Sequence, residues 1–194
     1  MMMKNKISRV FDADKLEHTE NIVCSGIYLA DLTERTKNKE NLKIYETKPD
    51  NIDTLLIENP NLLDISATFF KPQCFIDEKQ KEPENCEGVF YLSNSDEHSW
   101  VLFVEIKDCK VKNISKYFNK AKEQIVNVVK IFRDKNIISQ NKKVYANISF
   151  PKAIKTDFYN QLLKNDNGKM FIDKYKIRIK GTNHLIIKND KTIK

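Results

Sequence analysis

Two short apolar runs near the middle of the chain, Val89 to Leu92 and Trp100 to Ile106, are separated by a polar segment rich in turn-forming residues. This pattern predicts a β-hairpin. The second run is apolar at both odd and even positions, so both of its faces must be covered. We therefore expect it to be an inner strand of a sheet, with other elements packed above and below it.

The best helical pattern of the chain follows this hairpin, with Asn113 or Ser115 available as N-cap. Lys143 to Phe150 then alternates in the manner of a strand, which predicts a parallel partner for the second hairpin strand, joined to it through the helix. The expected fold is α/β, with a mixed central β-sheet and flanking helices. The apolar stripe of the helix consists of Ile114, Phe118, Ala121, Ile125, Val128 and Phe132.

The remaining segments are less strongly patterned. Residues 21–35 fit either a strand pair hinged at Gly26 or a helix, because so short a span has no decisive periodicity. For residues 1–20 we expect a frayed N-terminal segment with one short strand. Further predicted elements are strands at Leu42 to Tyr45 and Cys74 to Asp77, helices at Ile52 to Ile57 and Thr156 to Leu163, and a hairpin of Tyr175 to Lys180 with His184 to Lys188.

Composition narrows the class of protein. A chain of 194 residues is expected to form one domain over residues 1–194. No apolar run approaches the ~20 residues of a membrane span, and the N-terminus lacks the apolar core of a secretory signal, so we expect a cytoplasmic protein with no membrane partner. The net charge of +7 suits a polyanionic partner, although AT-rich coding, which enriches lysine, asparagine and isoleucine, explains the lysine excess equally well.

The four cysteines are widely spaced and do not indicate a zinc site. Isolated cysteines in a cytosolic chain are typically small core residues. We therefore expect Cys24, Cys74, Cys86 and Cys109 to be structural.

Three charged residues are expected to meet at one end of the central hairpin. Glu105 and Lys107 project from the same side of the second strand, because side chains alternate between faces. Glu87 opens the first strand and falls near Glu105 in the simple hairpin register. Two carboxylates this close repel each other, and either a proton or a divalent cation relieves the repulsion. Oxygen ligands favour Mg²⁺ or Mn²⁺.

These residues resemble the core of the PD-(D/E)XK nuclease superfamily, which has the restriction-endonuclease-like fold. The resemblance covers residues 74–150, with residues 1–73 as an N-terminal extension packed on that core, and it implies metal-dependent phosphodiester hydrolysis. Glu87 and Glu105 would be metal ligands, the backbone carbonyl of Ile106 a third ligand, and Lys107 the catalytic lysine. One departure is that the first acid of the superfamily is usually an aspartate after proline, whereas here Glu87 follows Cys86.

The resemblance also draws attention to the helix after the E-x-K strand, which in several nuclease lineages supplies a lysine or glutamine near the scissile phosphate. Lys116, Lys120 and Gln124 follow one flank of the predicted helix in steps of four. Gln124 is a candidate catalytic residue, and Lys116 and Lys120 are candidate nucleic-acid contacts. A solvated lysine-rich face is the alternative explanation of this flank.

A second basic row lies near the C-terminus. Lys176, Arg178 and Lys180 alternate along one strand face and are candidate phosphate contacts. Lysines on an edge strand that prevent aggregation are an equally good explanation.

Two further acids, Asp77 and Glu58, are candidate members of the acidic cluster. Glu58 is suggested by the resemblance, since many members of the superfamily carry a further acid on a helix ahead of the sheet; a solvated carboxylate at a helix end is the better-supported alternative. Asp77 ranks below Glu87, because Gly88 after Glu87 is typical of a place where a metal or another backbone approaches closely.

The leading hypothesis is thus a nuclease that requires Mg²⁺ or Mn²⁺, with nucleic acid as its partner, DNA in the first instance, and with a homodimer left open. A non-catalytic α/β module that binds nucleic acid or protein is the alternative function. A third interpretation is that Glu105 and Lys107 merely form a structural ion pair.

Overall fold

A computed structural model describes residues 2–32, 42–76, 85–107, 109, 113–153 and 174–194. Its elements, in chain order, are α1 (Met3–Ser8), a 3₁₀ turn (Ala13–Lys15), β1 (Leu16–Ile22), β2 (Gly26–Asp31), β3 (Leu42–Tyr45), β4 (Leu55–Glu58), β5 (Ile65–Phe70), β6 (Gly88–Leu92), β7 (Trp100–Ile106), α2 (Ile114–Asp134), β8 (Lys143–Ser149), β9 (Ile177–Gly181), β10 (His184–Asn189) and β11 (Thr192–Ile193).

The predicted hairpin forms two inner strands of a six-stranded mixed sheet with the order β1-β5-β6-β7-β8-β9. Neighbouring strands are antiparallel from β1 through β5 and β6 to β7, whereas β7, β8 and β9 run parallel to one another. A second, five-stranded sheet has the order β11-β10-β4-β2-β3. The α/β class and the parallel pairing of β7 with β8 are therefore confirmed.

Every residue of β6 and β7 is buried, because each face of the six-stranded sheet is covered. Val101 and Phe103 lie in the core beneath α2. Leu102 and Val104 lie in a second core, between the two sheets. The alternation in the β7 sequence thus assigns its side chains to two different hydrophobic layers.

The long helix α2 covers one face of the six-stranded sheet with its predicted apolar stripe, all of which is buried. Phe132 packs edge-on against Phe103 at 5.2 Å and Phe70 at 5.9 Å between ring centroids. Asn113 is the N-cap residue, but its side chain makes no capping hydrogen bond. Packing of the apolar stripe, rather than capping, therefore holds the helix. None of the described helices has the length and apolarity needed to cross a membrane.

The beginning of the chain is more ordered than the sequence predicts. Residues 3–8 form α1, in which Met3 and Ile7 are buried, so the expectation of a frayed start is wrong. Of the strand pair expected on either side of Gly26, the second strand is present as β2, whereas β1 already ends at Ile22 and belongs to the other sheet.

Three further predictions need correction. Residues 52–57 do not form a helix, because residues 55–58 pair as β4 with β2 and β10. Residues 72–75 form turns rather than a strand, and Phe75 is buried there by ring contacts with Phe11 and Phe70. The β9 and β10 strands do not form a hairpin, because β9 joins β8 and β10 joins β4. The predicted helix at residues 156–163 lies outside the described residues.

Asn183 connects the two sheets where the chain passes from β9 to β10. Its side chain accepts from the Phe150 backbone N–H at 3.0 Å and from Ser149 Oγ at 2.8 Å, and it donates to the carbonyls of Phe150 and Ala153. Its own carbonyl accepts from the Leu56 N–H. The end of β8 is thereby tied to both sheets.

We expect Asn183→Ala to lower the free energy of unfolding by about 2–3 kcal/mol, because buried backbone groups lose their partners. Chemical unfolding measures this effect. Asn189→Ala is a suitable control, since that side chain accepts a single exposed hydrogen bond. Equal losses in the two variants would contradict the linking role of Asn183.

Candidate active site

The register of β6 with β7 brings Glu87 opposite Glu105. Gly88 pairs with Val104, and Glu87 is the next residue towards the end of the hairpin. Both carboxylates lie on the face covered by α2, since Val89 and Phe103 two residues further in belong to that core. The predicted meeting of the two acids at the rim of the sheet is therefore present.

Backbone hydrogen bonds fix one oxygen of each carboxylate. The Glu87 N–H donates to Glu105 Oε2 at 3.0 Å, and the Ile106 N–H donates to Glu87 Oε2 at 3.0 Å. Because both donors are backbone groups at the ends of paired strands, the hairpin itself orients the two side chains.

The other oxygen of each carboxylate faces Lys107. Lys107 Nζ lies 2.5 Å from Glu105 Oε1 and 3.7 Å from Glu87 Oε1. The side chain of Glu105 is fully buried, whereas Lys107 is 23% exposed. The ammonium group therefore sits between the two carboxylates and closes the site on its solvent side.

Burial and charge set the ionisation of this cluster. Burial raises the pKa of Glu105 to about 7, against the opposing effect of Lys107. Burial and then the Glu105 carboxylate raise the pKa of Glu87 well above its ordinary value. Burial lowers the pKa of Lys107, but the two carboxylates more than reverse this, and its pKa is raised overall. Lys107 is thus held in its charged form.

One acid of this region is missing from the sequence interpretation. Asp31, at the end of β2, lies close enough for its charge to raise the pKa values of Glu87, Glu105 and Lys107. It comes from the second sheet, and no local pattern in the sequence indicates its position.

Gly88 has a different role from the one expected. A Cβ atom at this position would lie 2.5 Å from Cδ1 of Phe69. The phenyl ring of the neighbouring strand, on the face away from the carboxylates, therefore requires the glycine.

Gln124 lies in the buried part of α2 and not on a solvated flank. Its Nε2 donates to the Asn85 carbonyl at 2.7 Å, while its Oε1 is buried and accepts no hydrogen bond from the described residues. The glutamine therefore anchors the segment that leads into Glu87. Lys116 and Lys120 are exposed on the same helix.

The second group of candidate cations lies elsewhere in the sheet. Arg178 of β9 is the strand partner of Tyr145 in β8, which in turn is the partner of Leu102 in β7. Leu102 precedes Glu105 by three residues, which is about 10 Å along the strand. Lys176 lies further from the level of Glu105, and Lys180 lies nearer, at the level of Val104. The predicted phosphate contacts therefore do not form one continuous surface around the carboxylates.

Of the additional candidate acids, Glu58 lies on β4, where it pairs with His184 Nε2 at 3.0 Å. It belongs to the second sheet and has a different partner. Asp77 lies outside the described residues.

The donor set at Glu87 and Glu105 fits a hard divalent cation. Both Oε1 atoms face the Lys107 ammonium, so the two carboxylates converge on a position that already holds a positive charge. No three His, Cys, Asp or Glu side chains in the described part of the chain are grouped to hold a metal, so the side chains offer two carboxylates. Mg²⁺ typically uses one or two, with water completing its shell. The Ile106 carbonyl as a further ligand stays a prediction.

The raised pKa of Glu105 makes stability depend on pH. Between pH 4.5 and about 7 the folded state binds more protons at Glu105 than the unfolded state does. The stabilisation that comes from protonated Glu105 is therefore complete at low pH and is lost as the pH rises through about 7. In EDTA, we expect wild-type stability relative to Glu105→Gln to fall by on the order of 3 kcal/mol between pH 4.5 and 8. Urea unfolding at both pH values measures this; Glu123→Gln, at an exposed acid of α2, should track wild type. Parallel pH profiles of wild type and Glu105→Gln would contradict the assignment.

Comparison of the chain with protein-family models, with curated proteins and with solved structures finds no match in any of the three.

Proposed function

We propose that this protein is a metal-dependent nuclease that hydrolyses phosphodiester bonds, with DNA as the first substrate to test. The observation that carries this proposal is the convergence of Glu87 Oε1 and Glu105 Oε1 on Lys107 Nζ at the rim of a buried sheet. A merely structural ion pair requires one acid, whereas here the fully buried Glu105 and the largely buried Glu87 share one cation.

Each of these three residues would have a distinct role. A bound Mg²⁺ or Mn²⁺ would stabilise negative charge on the phosphoryl group and lower the pKa of a coordinated water. Glu87 and Glu105 would hold the cation through their Oε1 atoms. Lys107, whose pKa is raised, would act as a charged hydrogen-bond donor to the phosphate rather than as a base that takes a proton from water.

The surroundings of the site support the same proposal. The antiparallel β6 and β7 strands, followed by α2 and the parallel β8 strand, agree with the core that the PD-(D/E)XK resemblance implies. The glutamate at position 87 reaches both the Ile106 N–H and Lys107, which supports the proposal that it would take the place of the usual aspartate. Gln124 would be a positioning residue, because it holds the Asn85 carbonyl.

A cleavage assay with a matched variant tests the proposal. The purified protein is incubated with single- and double-stranded DNA and RNA in Mg²⁺, in Mn²⁺ and in EDTA, beside the Glu87→Gln/Glu105→Gln double variant. We expect cleavage that requires the metal and is absent from the double variant. Failure to cut any substrate, or equal cutting by the double variant, would overturn the proposal.

The alternative of a non-catalytic binding module is supported by the exposed cations Lys116, Lys120 and Arg178 and by the net charge of +7. Fluorescence anisotropy in EDTA separates the two functions. Nucleic-acid binding that persists in the double variant, together with no cleavage by wild type, would favour the binding module.

A further inference from the structure

A basic pocket lies at the end of the parallel strands opposite to the carboxylates. It has a volume of about 280 Å³ and is formed by the turn before β8, the first residues of β8 and the beginning of β9. Val144 of β8 pairs with Ile177 of β9 at this level, whereas Glu105 is level with Ile148. The pocket is therefore separate from the candidate active site.

The lining of the pocket is strongly cationic. Four of its seven residues are basic, namely Lys142, Lys143, Lys176 and Arg178, and none is acidic. Lysine and arginine make up 34 of the 194 residues of the chain, so seven residues of average composition would include about one. No carboxylate among the described residues forms an ion pair with Lys143, Lys176 or Arg178. The general abundance of lysine does not account for this concentration of charge.

Several contacts hold the walls of the pocket in place. Arg133 of α2 donates from Nη1 to the Tyr175 carbonyl at 2.6 Å and from Nη2 to the Lys176 carbonyl at 3.4 Å. Lys176 has a φ of 57°, in the left-handed region, so these bonds stabilise a turn that a lysine seldom adopts. The guanidinium of Arg178 lies 5.9 Å from the centre of the Tyr145 ring. Lys176 and Arg178, whose side chains are exposed, thus extend from an ordered backbone.

The four cations are not equivalent. Lys142 is buried, and its ammonium donates to the Asp96 carbonyl and to Ser99 Oγ. It therefore forms part of the pocket wall, and its ammonium is directed to these partners instead of to a ligand. Lys143 donates to the Lys191 carbonyl at 3.1 Å and keeps two further N–H groups. Lys143, Lys176 and Arg178 are the groups that would meet an anion.

We propose that this pocket binds a phosphate group, either of a small phosphate or nucleotide or of a nucleic-acid backbone. Three cations exceed what a single carboxylate would neutralise, and the planar guanidinium of Arg178 matches two phosphate oxygens. Gln140 and Asn141 also line the pocket, and each carries a neutral amide donor. This site does not depend on the proposed nuclease activity.

Binding is measured in EDTA, so that the candidate metal site does not contribute. The probes are inorganic phosphate, a nucleoside triphosphate and a short single-stranded oligonucleotide, titrated into the full chain and followed by calorimetry. The test variant is Lys176→Gln/Arg178→Gln. The matched control is Lys135→Gln/Lys188→Gln, which removes the same charge from exposed positions outside the pocket.

We expect a phosphate probe to bind wild type and the control with similar affinity, and to bind the test variant about tenfold or more weakly, because two charged contacts are lost. Competition identifies the source: an oligonucleotide that displaces inorganic phosphate assigns the pocket to nucleic acid, and independent binding assigns it to small phosphates. The absence of phosphate binding to wild type, or an equal loss in the two double variants, would overturn the proposal. Thermal unfolding verifies that all variants are folded.

Discussion

In the Glu105→Gln variant we expect metal-dependent cleavage to fall by about 10³-fold or more, because the variant loses both a cation ligand and transition-state charge stabilisation. Glutamine has nearly the same shape as glutamate and can still accept from the Glu87 N–H. At pH 8 the variant should be at least as stable as wild type, because a fully buried carboxylate that is costly to ionise has been replaced by a neutral amide.

This combination of lost activity with retained stability distinguishes a functional acid from a structural one. Initial rates of cleavage and urea unfolding of the same preparation give the two quantities. Glu123→Gln removes an exposed acid from α2 and should leave both unchanged. A Glu105→Gln protein that keeps its cleavage rate, or that loses stability in proportion to activity, would contradict the catalytic assignment.

The second large effect is expected for Lys107→Met. Methionine retains much of the apolar length of lysine but leaves two buried carboxylates without their cation. In EDTA at pH 8 we expect the free energy of unfolding to fall by about 3–5 kcal/mol, as for other broken buried ion pairs. The loss should shrink at pH 5, where Glu105 is protonated, and added Mn²⁺ should restore part of it by binding the folded state.

Unfolding curves at the two pH values, with and without Mn²⁺, test this prediction. Lys135→Met changes an exposed lysine beyond the end of α2 and should have little effect. A loss in Lys107→Met that is independent of pH, or no larger than in the control, would mean that the ammonium does not compensate the two acids. Cleavage by Lys107→Met should also fall, by about 10²- to 10³-fold, because a charged donor to the phosphate is lost.

The sequence predicts the β6 and β7 hairpin, α2 and β8 because each has a strong local pattern. The carboxylate pair follows from the hairpin alone, since an antiparallel turn brings the residue that opens one strand to the end of the other. Glu87 and Glu105 are therefore accessible to sequence reasoning despite the 18 positions that separate them.

Elements whose partners are distant in the chain are not predictable in this way. The β4 strand has only four residues, and its apolar run suits a helix equally well until β2 and β10 supply its hydrogen bonds. The turn between β9 and β10 looks like a hairpin turn, but Asn183 bonds to the end of β8 and directs β10 into the other sheet. Asp31 is not predictable for the same reason, because only the packing of the two sheets brings it near Glu87 and Glu105.

The central claim is that Glu87 and Glu105 together form a divalent cation site. A calorimetric titration of Mn²⁺ into wild type, Glu87→Gln, Glu105→Gln and the exposed control Glu123→Gln tests it most directly. We predict one Mn²⁺ bound by wild type and by the control, with binding lost or weakened by about 10-fold or more in each of the other two variants. Equal Mn²⁺ binding by all four proteins, or none by wild type, would contradict the claim.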